Sequence, residues 1–184
     1  MENIVYIILL TTGASFVQRT TGFGFGIFIM TSLPLLMPSY GEATALSGLL
    51  ALTTSATIAL KMRKLISWKR LLPILITFII VSAAAICLLA RIHDNTLRKV
   101  LGVVLILTGI WFAFFKEKIR IGTGIGWQTG AGFFSGIMGG FFGMQGPPAV
   151  LYFISSEPSK EEYMAMTQTY FLIGNAMMTV VRGA

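Results

Sequence analysis

Two glycine-rich segments contain residue types and spacings that could bind a small ion. The first is TTGFGFG at residues 20–26, and the second is GGFFGMQGPP at residues 139–148. Glycine and proline interrupt helices, and an interrupted helix leaves backbone N–H groups without intrahelical partners. The first N–H groups of the next helix attract anions, because that end of a helix carries a partial positive charge. Both segments therefore predict an anion-binding site.

Polar side chains close to these segments could complete the site. Arg19 is the only charged residue between Asn3 and Glu42, and a guanidinium inside an apolar segment normally faces a ligand, a partner or a cavity. The alternative is that Arg19 lies at the end of the first span, among lipid headgroups. The candidate substrate-binding residues are Arg19, Thr20, Thr21, Gly22, Gly24, Gly26, Gly139, Gly140, Gly143, Gln145 and Pro147, and further donors could come from Gln18, Gln168, Thr169 and Asn175.

The residue types required for catalysis or metal binding are too few to form a cluster. The chain has one His, His93, and one Cys, Cys87, and every acidic residue lies at the edge of an uncharged window. An enzyme or a metal centre would need acids, His or Cys that face each other. The glycine pattern is not a dinucleotide fingerprint either, because no strand–helix unit followed by an acid fits inside these apolar runs. We therefore predict no enzymatic activity, no cofactor and no metal.

The elements that position both segments are predicted to be membrane-spanning helices. Hydrophobic residues make up 55% of the 184 residues and charged residues only 11%, whereas charged residues reach about 25% in soluble domains. Uncharged windows span residues 3–18, 20–41, 43–60, 71–90, 100–115, 121–156 and 163–181. Several approach the roughly 20 residues that a helix needs to cross a bilayer. The predicted fold class is all-α, a polytopic integral membrane helical bundle in the cytoplasmic membrane, with the lipid bilayer as a partner.

Basic residues predict the orientation of the helices. The net charge of +7 comes from short clusters between apolar windows, which indicates topology rather than a nucleic-acid partner. Lys61–Arg70 and residues 116–120 are rich in Lys and Arg and are predicted to be cytoplasmic. The acidic connection Ser155–Glu162 is predicted to lie outside and Arg182 inside, so that residues 121–156 cross an odd number of times. A re-entrant hairpin, with two units inverted relative to each other, is the alternative.

An internal repeat relates the two glycine-rich segments. GASFVQRTTGFGFG at residues 13–26 aligns with GAGFFSGIMGGFFG at residues 130–143, and Pro-Ser-x-x-Glu occurs at residues 38–42 and again at 158–162. Each Pro-Ser-x-x-Glu is predicted to be a capping box at the start of a helix. The chain is therefore predicted to contain two repeat units, residues 1–120 and residues 121–184, of which the second is incomplete. Either the chain is partial or a short form self-associates as a homo-oligomer.

Both glycine-rich segments and the Pro-Ser-x-x-Glu motif resemble the TauE/SafE sulfite exporter family of prokaryotic permeases. The resemblance covers essentially the whole chain, although the family usually has a denser run of glycine where this chain has Phe23 and Phe25. It implies two homologous halves, each opening with a glycine-rich segment, and transport of sulfite, an organosulfonate or a related small anion. The glycines and prolines of both segments are the positions that the resemblance implicates.

The predicted function is alternating-access transport of a small anion, with broken or re-entrant helices meeting at a central site. Backbone N–H groups after Gly24 and Gly143 would bind the anion, while Arg19 would add charge and Gln145 a further donor. The alternative is a channel-like or structural membrane subunit. In that case the glycines repeated every four residues from 132 to 140 serve only to pack helices closely.

Overall fold

A computed structural model describes residues 2–89, 91–114 and 122–183, and these residues contain helices and no strand. The helices are α1 (Glu2–Thr21), α2 (Phe25–Met30), α3 (Leu33–Leu36), α4 (Tyr40–Lys61), α5 (Trp68–Leu89), α6 (Asp94–Phe114), α7 (Ile125–Phe142), α8 (Gly146–Ser156) and α9 (Lys160–Gly183). A single 3-10 turn, Arg63–Leu65, follows α4. The prediction of an all-α fold is confirmed. The second basic cluster, residues 116–120, lies outside the described residues.

Two of the described helices have the length and apolar composition of a membrane span. These are α4 and α5, each with 22 residues. Other helices carry large apolar side chains on exposed faces, for example Leu9 and Phe16 on α1 and Leu107 on α6. Exposed apolar surface of this extent is unusual in a soluble monomer and is expected where lipid or another helix covers it.

Helices α5 and α7 pack side by side with unusually close backbones. A Cβ built on Gly132 would lie 2.5 Å from the carbonyl oxygen of Ile74, and one built on Gly140 would lie 2.5 Å from Cβ of Ala85. The partners advance in the same direction along both helices, so α5 and α7 are parallel. Glycine permits this approach because it has no side chain at the contact.

The acidic connection between α8 and α9 lies beside the basic linker. Nη1 of Arg70 forms an ion pair with Oε2 of Glu157 at 3.0 Å, so residues 155–162 share an end of the bundle with residues 61–70, called the linker side. The prediction that this connection lies on the opposite side is wrong. Acidic residues contribute little to orientation, and Arg70 compensates Glu157. Burial raises the pKa of Glu157, and the Arg70 charge opposes that rise.

Helix α9 runs from the linker side to the opposite end of the bundle, called the far side. Near its C-terminus, Nη1 of Arg182 donates to the carbonyl oxygen of Thr44, close to the start of α4, at 3.2 Å. Helices α4 and α9 are therefore antiparallel, and Arg182 lies at the far side. The prediction that Arg182 lies on the same side as Lys61–Arg70 is wrong, because this guanidinium binds carbonyl groups at the opposite end of the bundle.

Helices α7 and α8 form a hairpin that begins and ends on the linker side. Because α7 is parallel to α5, it begins on the linker side, and α8 returns to the same side at Glu157, which contacts Arg70. The prediction that residues 121–156 cross an odd number of times is wrong. That count depended on an external position for the acidic connection.

Both predicted capping boxes begin helices through their serine side chains. The N–H of Glu42 donates to Oγ of Ser39 at 3.1 Å, at the start of α4. The N–H of Glu162 donates to Oγ of Ser159 at 3.2 Å, at the start of α9. The predicted serine caps are confirmed, and each fixes the point at which a hairpin connects to the next long helix.

Candidate functional site

The first glycine-rich segment forms a tight turn between α1 and α2, called the first turn (residues 22–24). Gly22 has φ +86° and Gly24 has φ +99°, and this left-handed region favours glycine. A Cβ built on Gly22 would also lie 2.7 Å from Cε1 of Tyr163. Glycine is therefore required here both by backbone conformation and by the closeness of α9.

The second glycine-rich segment forms the second turn (residues 143–145), between α7 and α8. Gly143 has φ +67°, and its N–H donates to the carbonyl oxygen of Gly139 at 3.0 Å, while the N–H of Met144 donates to that of Met138 at 3.2 Å. The bond from Gly143 to Gly139 is the single 5→1 bond of an αL ending, in which a left-handed glycine terminates a helix. Pro147 follows in the first turn of α8, where a missing N–H costs little.

The two turns meet inside the bundle. A Cβ built on Gly26, at the start of α2, would lie only 2.6 Å from the carbonyl oxygen of Gly143. Beside this contact is a cavity of about 30 Å³, which is room for roughly two water molecules. Its lining consists of Gln18, Gly24, Phe25, Gly26, Ile27, Ala51, Gly143, Met144, Gln145, Gly146, Phe171 and Asn175.

The polar part of this lining is amide and backbone, without a charged side chain. Nε2 of Gln18 donates to Oγ of Ser55 at 2.9 Å and to Oε1 of Gln168 at 2.8 Å. Nε2 of Gln145 donates to the carbonyl oxygen of Phe171 at 3.4 Å, and its Oε1 is buried without a hydrogen-bond partner among the described residues. A lining of this kind can bind a polar or charged small molecule through hydrogen bonds.

Helix α9 holds the first turn through neutral side chains. Nε2 of Gln168 donates to the carbonyl oxygen of Gly22 at 2.7 Å, and the hydroxyl of Tyr163 donates to that of Thr21 at 3.2 Å. These carbonyls end α1 and would otherwise have no intrahelical donor. The same α9 side chains therefore complete the helix end and fix the turn.

Helix α9 also holds the second turn, through a relay of two hydroxyls and through a guanidinium. The hydroxyl of Tyr170 donates to Oγ of Ser135 at 2.7 Å, and Ser135 in turn donates to the carbonyl oxygen of Gln145. Closer to the far side, Arg182 donates to the carbonyl oxygens of the last turn of α7. Both turns thus depend on side chains of a single helix.

Four of the predicted site residues line the cavity, namely Gly24, Gly26, Gly143 and Gln145. Gly22 is buried in the first turn, and Gly139 precedes the second turn. Gly140 packs against α5. Pro147 lines a separate apolar cavity of about 460 Å³ between α6, α7 and α8.

Arg19, Thr20 and Thr21 are exposed and do not line the cavity. Both threonine hydroxyls donate to carbonyl oxygens of α1 itself, at Val17 in each case. The reason is helical phase: successive residues differ by about 100° around a helix, so the inward direction of Gln18 turns Arg19 outward. The structure therefore brings Gln18, and not Arg19, to the meeting point.

Four residues that hold the turns escaped the sequence analysis as site residues, namely Ser135, Tyr163, Tyr170 and Arg182. Ser135 had a usable signal, because the repeat alignment pairs it with Gln18. Ser135 binds the second turn directly, and Gln18 binds Gln168, which in turn binds the first turn. Arg182 had a weaker signal, because it is a cation at the end of an uncharged window. The sequence analysis used it only to predict the orientation of that span. Tyr170 had none, since an aromatic residue in an apolar helix is usually packing.

Comparison with known proteins identifies the family. The family model described as Sulfite exporter TauE/SafE matches residues 7–183. No curated protein and no solved structure matches the chain. The chain therefore belongs to the sulfite exporter TauE/SafE family, a family of membrane transporters rather than enzymes.

Proposed function

We propose that this protein moves a small oxoanion, such as sulfite or an organosulfonate, across the cytoplasmic membrane by alternating access. The substrate binds in the cavity between the two turns. The observation that carries this proposal is the contact of Gly26 with the carbonyl oxygen of Gly143, which joins both glycine-rich segments at one cavity. If the two glycine-rich segments served only to pack helices, they would not need to contact each other at one cavity.

The depth of the cavity supports a transport site. Phe171 and Asn175 line it, and both lie near the middle of α9, which extends from Lys160 to Gly183. Helix α9 runs from the linker side to the far side, so the cavity is about halfway between the two ends. Substrate sites of repeat-built transporters lie at this depth.

The directions of the two hairpins support an inverted pair of units. The end of α1 lies toward the linker side, because Thr21 contacts Tyr163 in the first turn of α9. Helix α7 runs the opposite way and ends toward the far side, where Arg182 binds its last carbonyls. We infer that α1 to α4 and α7 to α9 are equivalent units inverted in the membrane, an arrangement typical of alternating access.

The chemistry of the lining supports an anionic substrate. Gln18, Gln145 and Asn175 supply amide groups, and no carboxylate lies among the lining residues. The N-terminal end of α8, at Gly146, also faces the cavity and has no side-chain cap. The partial positive charge of that end favours an anion over a cation. Because the cavity holds only about two waters, we expect substrate binding to widen it.

Transport by the purified full-length chain in lipid vesicles tests the proposal. Vesicles loaded with sulfite, and separately with ethanesulfonate, should release at least one of them at a rate that saturates with concentration. Gly26→Ala should lower this rate about tenfold or more, because its methyl group would collide with the Gly143 carbonyl. Gly130→Ala is the matched control, since a Cβ at Gly130 has nothing within 4 Å.

Three results would contradict the proposal in different ways. Failure of the parent protein to release either anion would reject anion transport of this kind. Equal rates for Gly26→Ala and the parent would place the site elsewhere. Release that rises linearly with concentration and carries a steady current would favour the channel-like alternative.

A further inference from the structure

Arg182 is a cation held within the helix bundle by carbonyl groups instead of carboxylates. Its Nη1 donates to the carbonyl oxygen of Thr44 at 3.2 Å, and its Nη2 to those of Gly139 at 3.0 Å and Gly140 at 2.9 Å. Among the described residues it takes part in no ion pair, and its Nε is buried without a hydrogen-bond partner. A guanidinium in such a position is costly and usually serves a function.

Two further hydroxyl groups near Arg182 are buried, and neither has a hydrogen-bond partner in the part of the chain that the structure describes. These belong to Tyr40, whose side chain is completely inaccessible, and to Thr179, one turn before Arg182 on α9. The N–H of Tyr40 donates to Oδ2 of Asp94 at 2.8 Å, and Arg98 lies one turn after Asp94 on α6. Arg182, Arg98 and Asp94 together give this region one more positive than negative charge. Nε of Arg182 and the two hydroxyls add donors that have no partner among the described residues.

We propose that Arg182, with the hydroxyls of Tyr40 and Thr179, forms a second oxoanion site on the far side of the cavity. We call this cluster the far-side site. It rests on the proposed function, since its ligand is the transported anion as it passes between the cavity and the far side. It supplies the positive charge that the cavity lining lacks.

The far-side site is connected directly to the second turn. A Cβ built on Gly143 would lie 3.9 Å from Cβ of Thr44, and Arg182 binds the Thr44 carbonyl. Arg182 also binds the Gly139 carbonyl, which accepts the N–H of Gly143. A single layer of residues, which includes Thr44 and Gly143, therefore separates an anion at this site from the cavity.

Anion binding and opening of the far side are coupled by the geometry of the guanidinium. An oxoanion binds arginine best through two parallel N–H groups, and such bonds are stronger than bonds to neutral carbonyls. Nε is unused, but its neighbour Nη2 is occupied by Gly139 and Gly140. Bidentate binding at this edge therefore displaces these carbonyls and releases the end of α7 beside the second turn.

Equilibrium binding of radiolabelled sulfite to the purified full-length chain tests the far-side site. Tyr40→Phe is the principal variant, because it removes a hydroxyl that has no partner among the described residues and should leave the melting temperature unchanged or slightly higher. It should weaken sulfite binding about tenfold, the value of one hydrogen bond to a charged ligand. Arg182→Gln should weaken binding at least as much, and Arg182→Lys should recover part of the loss by restoring the charge.

Arg91→Gln is the control, because it removes a positive charge from an exposed position before α6. It should leave binding unchanged. If Tyr40→Phe and Arg182→Gln each bound sulfite as tightly as the parent, the far-side site would be overturned, while the cavity proposal would stay intact. A parent protein that neither binds nor transports sulfite or ethanesulfonate would instead reject the proposed function.

Discussion

The two turns end their helices by related means but are held by different chemistry. The first turn has two glycines in the left-handed region, and neutral donors of Tyr163 and Gln168 bind its carbonyls. The second turn has one left-handed glycine followed by a proline pair, and the charged side chain of Arg182 binds the preceding carbonyls. The first turn is therefore fixed by neutral donors alone, and the second by two hydroxyls together with a guanidinium.

This difference separates a turn that responds to charge from one that does not. A neutral amide or hydroxyl that exchanges a carbonyl for an anion gains one stronger hydrogen bond, whereas a guanidinium gains an ion pair that can also be bidentate. The far side should therefore open in response to the substrate's charge. The first turn contacts the linker-side half of α9. It should move only when the side chains packed around it move.

The largest expected effect comes from comparing alanine at the two left-handed glycines. Gly22→Ala and Gly143→Ala both place a methyl group on a left-handed residue, which costs about 1–2 kcal/mol. Gly22→Ala also overpacks the ring of Tyr163, which lies 2.7 Å from the new Cβ, and overpacking adds roughly 1–3 kcal/mol. Gly143 has space, with nothing closer than 3.9 Å.

Denaturant unfolding of both variants in detergent measures this comparison. We expect Gly22→Ala to lose more free energy of unfolding than Gly143→Ala. Equal losses would mean that the first turn yields as easily as the second. The contrast between a fixed and a responsive turn would then have no basis in packing.

A smaller effect is expected from the hydroxyl relay that anchors the second turn. Ser135→Ala leaves the Gln145 carbonyl and the Tyr170 hydroxyl without their partner, which should cost about 1–3 kcal/mol of unfolding free energy. Tyr170→Phe removes only the outer member and should cost about 0.5–1.5 kcal/mol.

The control for this relay is Ser155→Ala, where an exposed hydroxyl bonds only to its own helix. Its unfolding free energy should stay within about 0.5 kcal/mol of the parent value. Should Tyr170→Phe prove as costly as Ser135→Ala, Tyr170 would contribute mainly through its ring contacts with Phe78 and Phe153. The second turn would then depend on Arg182 more than on the relay.

Sequence alone predicted the features that depend on local chemistry. The glycine-rich segments were expected to interrupt helices, and Gly22, Gly24 and Gly143 adopt the left-handed conformation that glycine favours. Ser39 and Ser159 indicated helix starts because a serine three residues before a glutamate favours a cap. Such signals act within a few residues, so they can be read without knowing how helices pack.

The features that sequence did not predict depend on contacts between distant helices. The inward direction of Gln18 depends on Ser55 and Gln168, which lie on α4 and α9. The position of the acidic connection depends on one ion pair between Arg70 and Glu157. Charge counting treats each loop separately and therefore cannot anticipate a pair formed across the bundle.

The most direct test of the account is whether filling the cavity abolishes substrate binding. Ala51 on α4 lines the cavity, and Ala51→Leu should occupy most of its roughly 30 Å³. Ala84→Leu makes the same change at an exposed position on α5. In equilibrium binding of radiolabelled sulfite, we predict that Ala51→Leu loses binding about tenfold or more, while Ala84→Leu binds like the parent. Binding by a folded Ala51→Leu protein as tight as that of the parent would contradict a substrate site between the two turns.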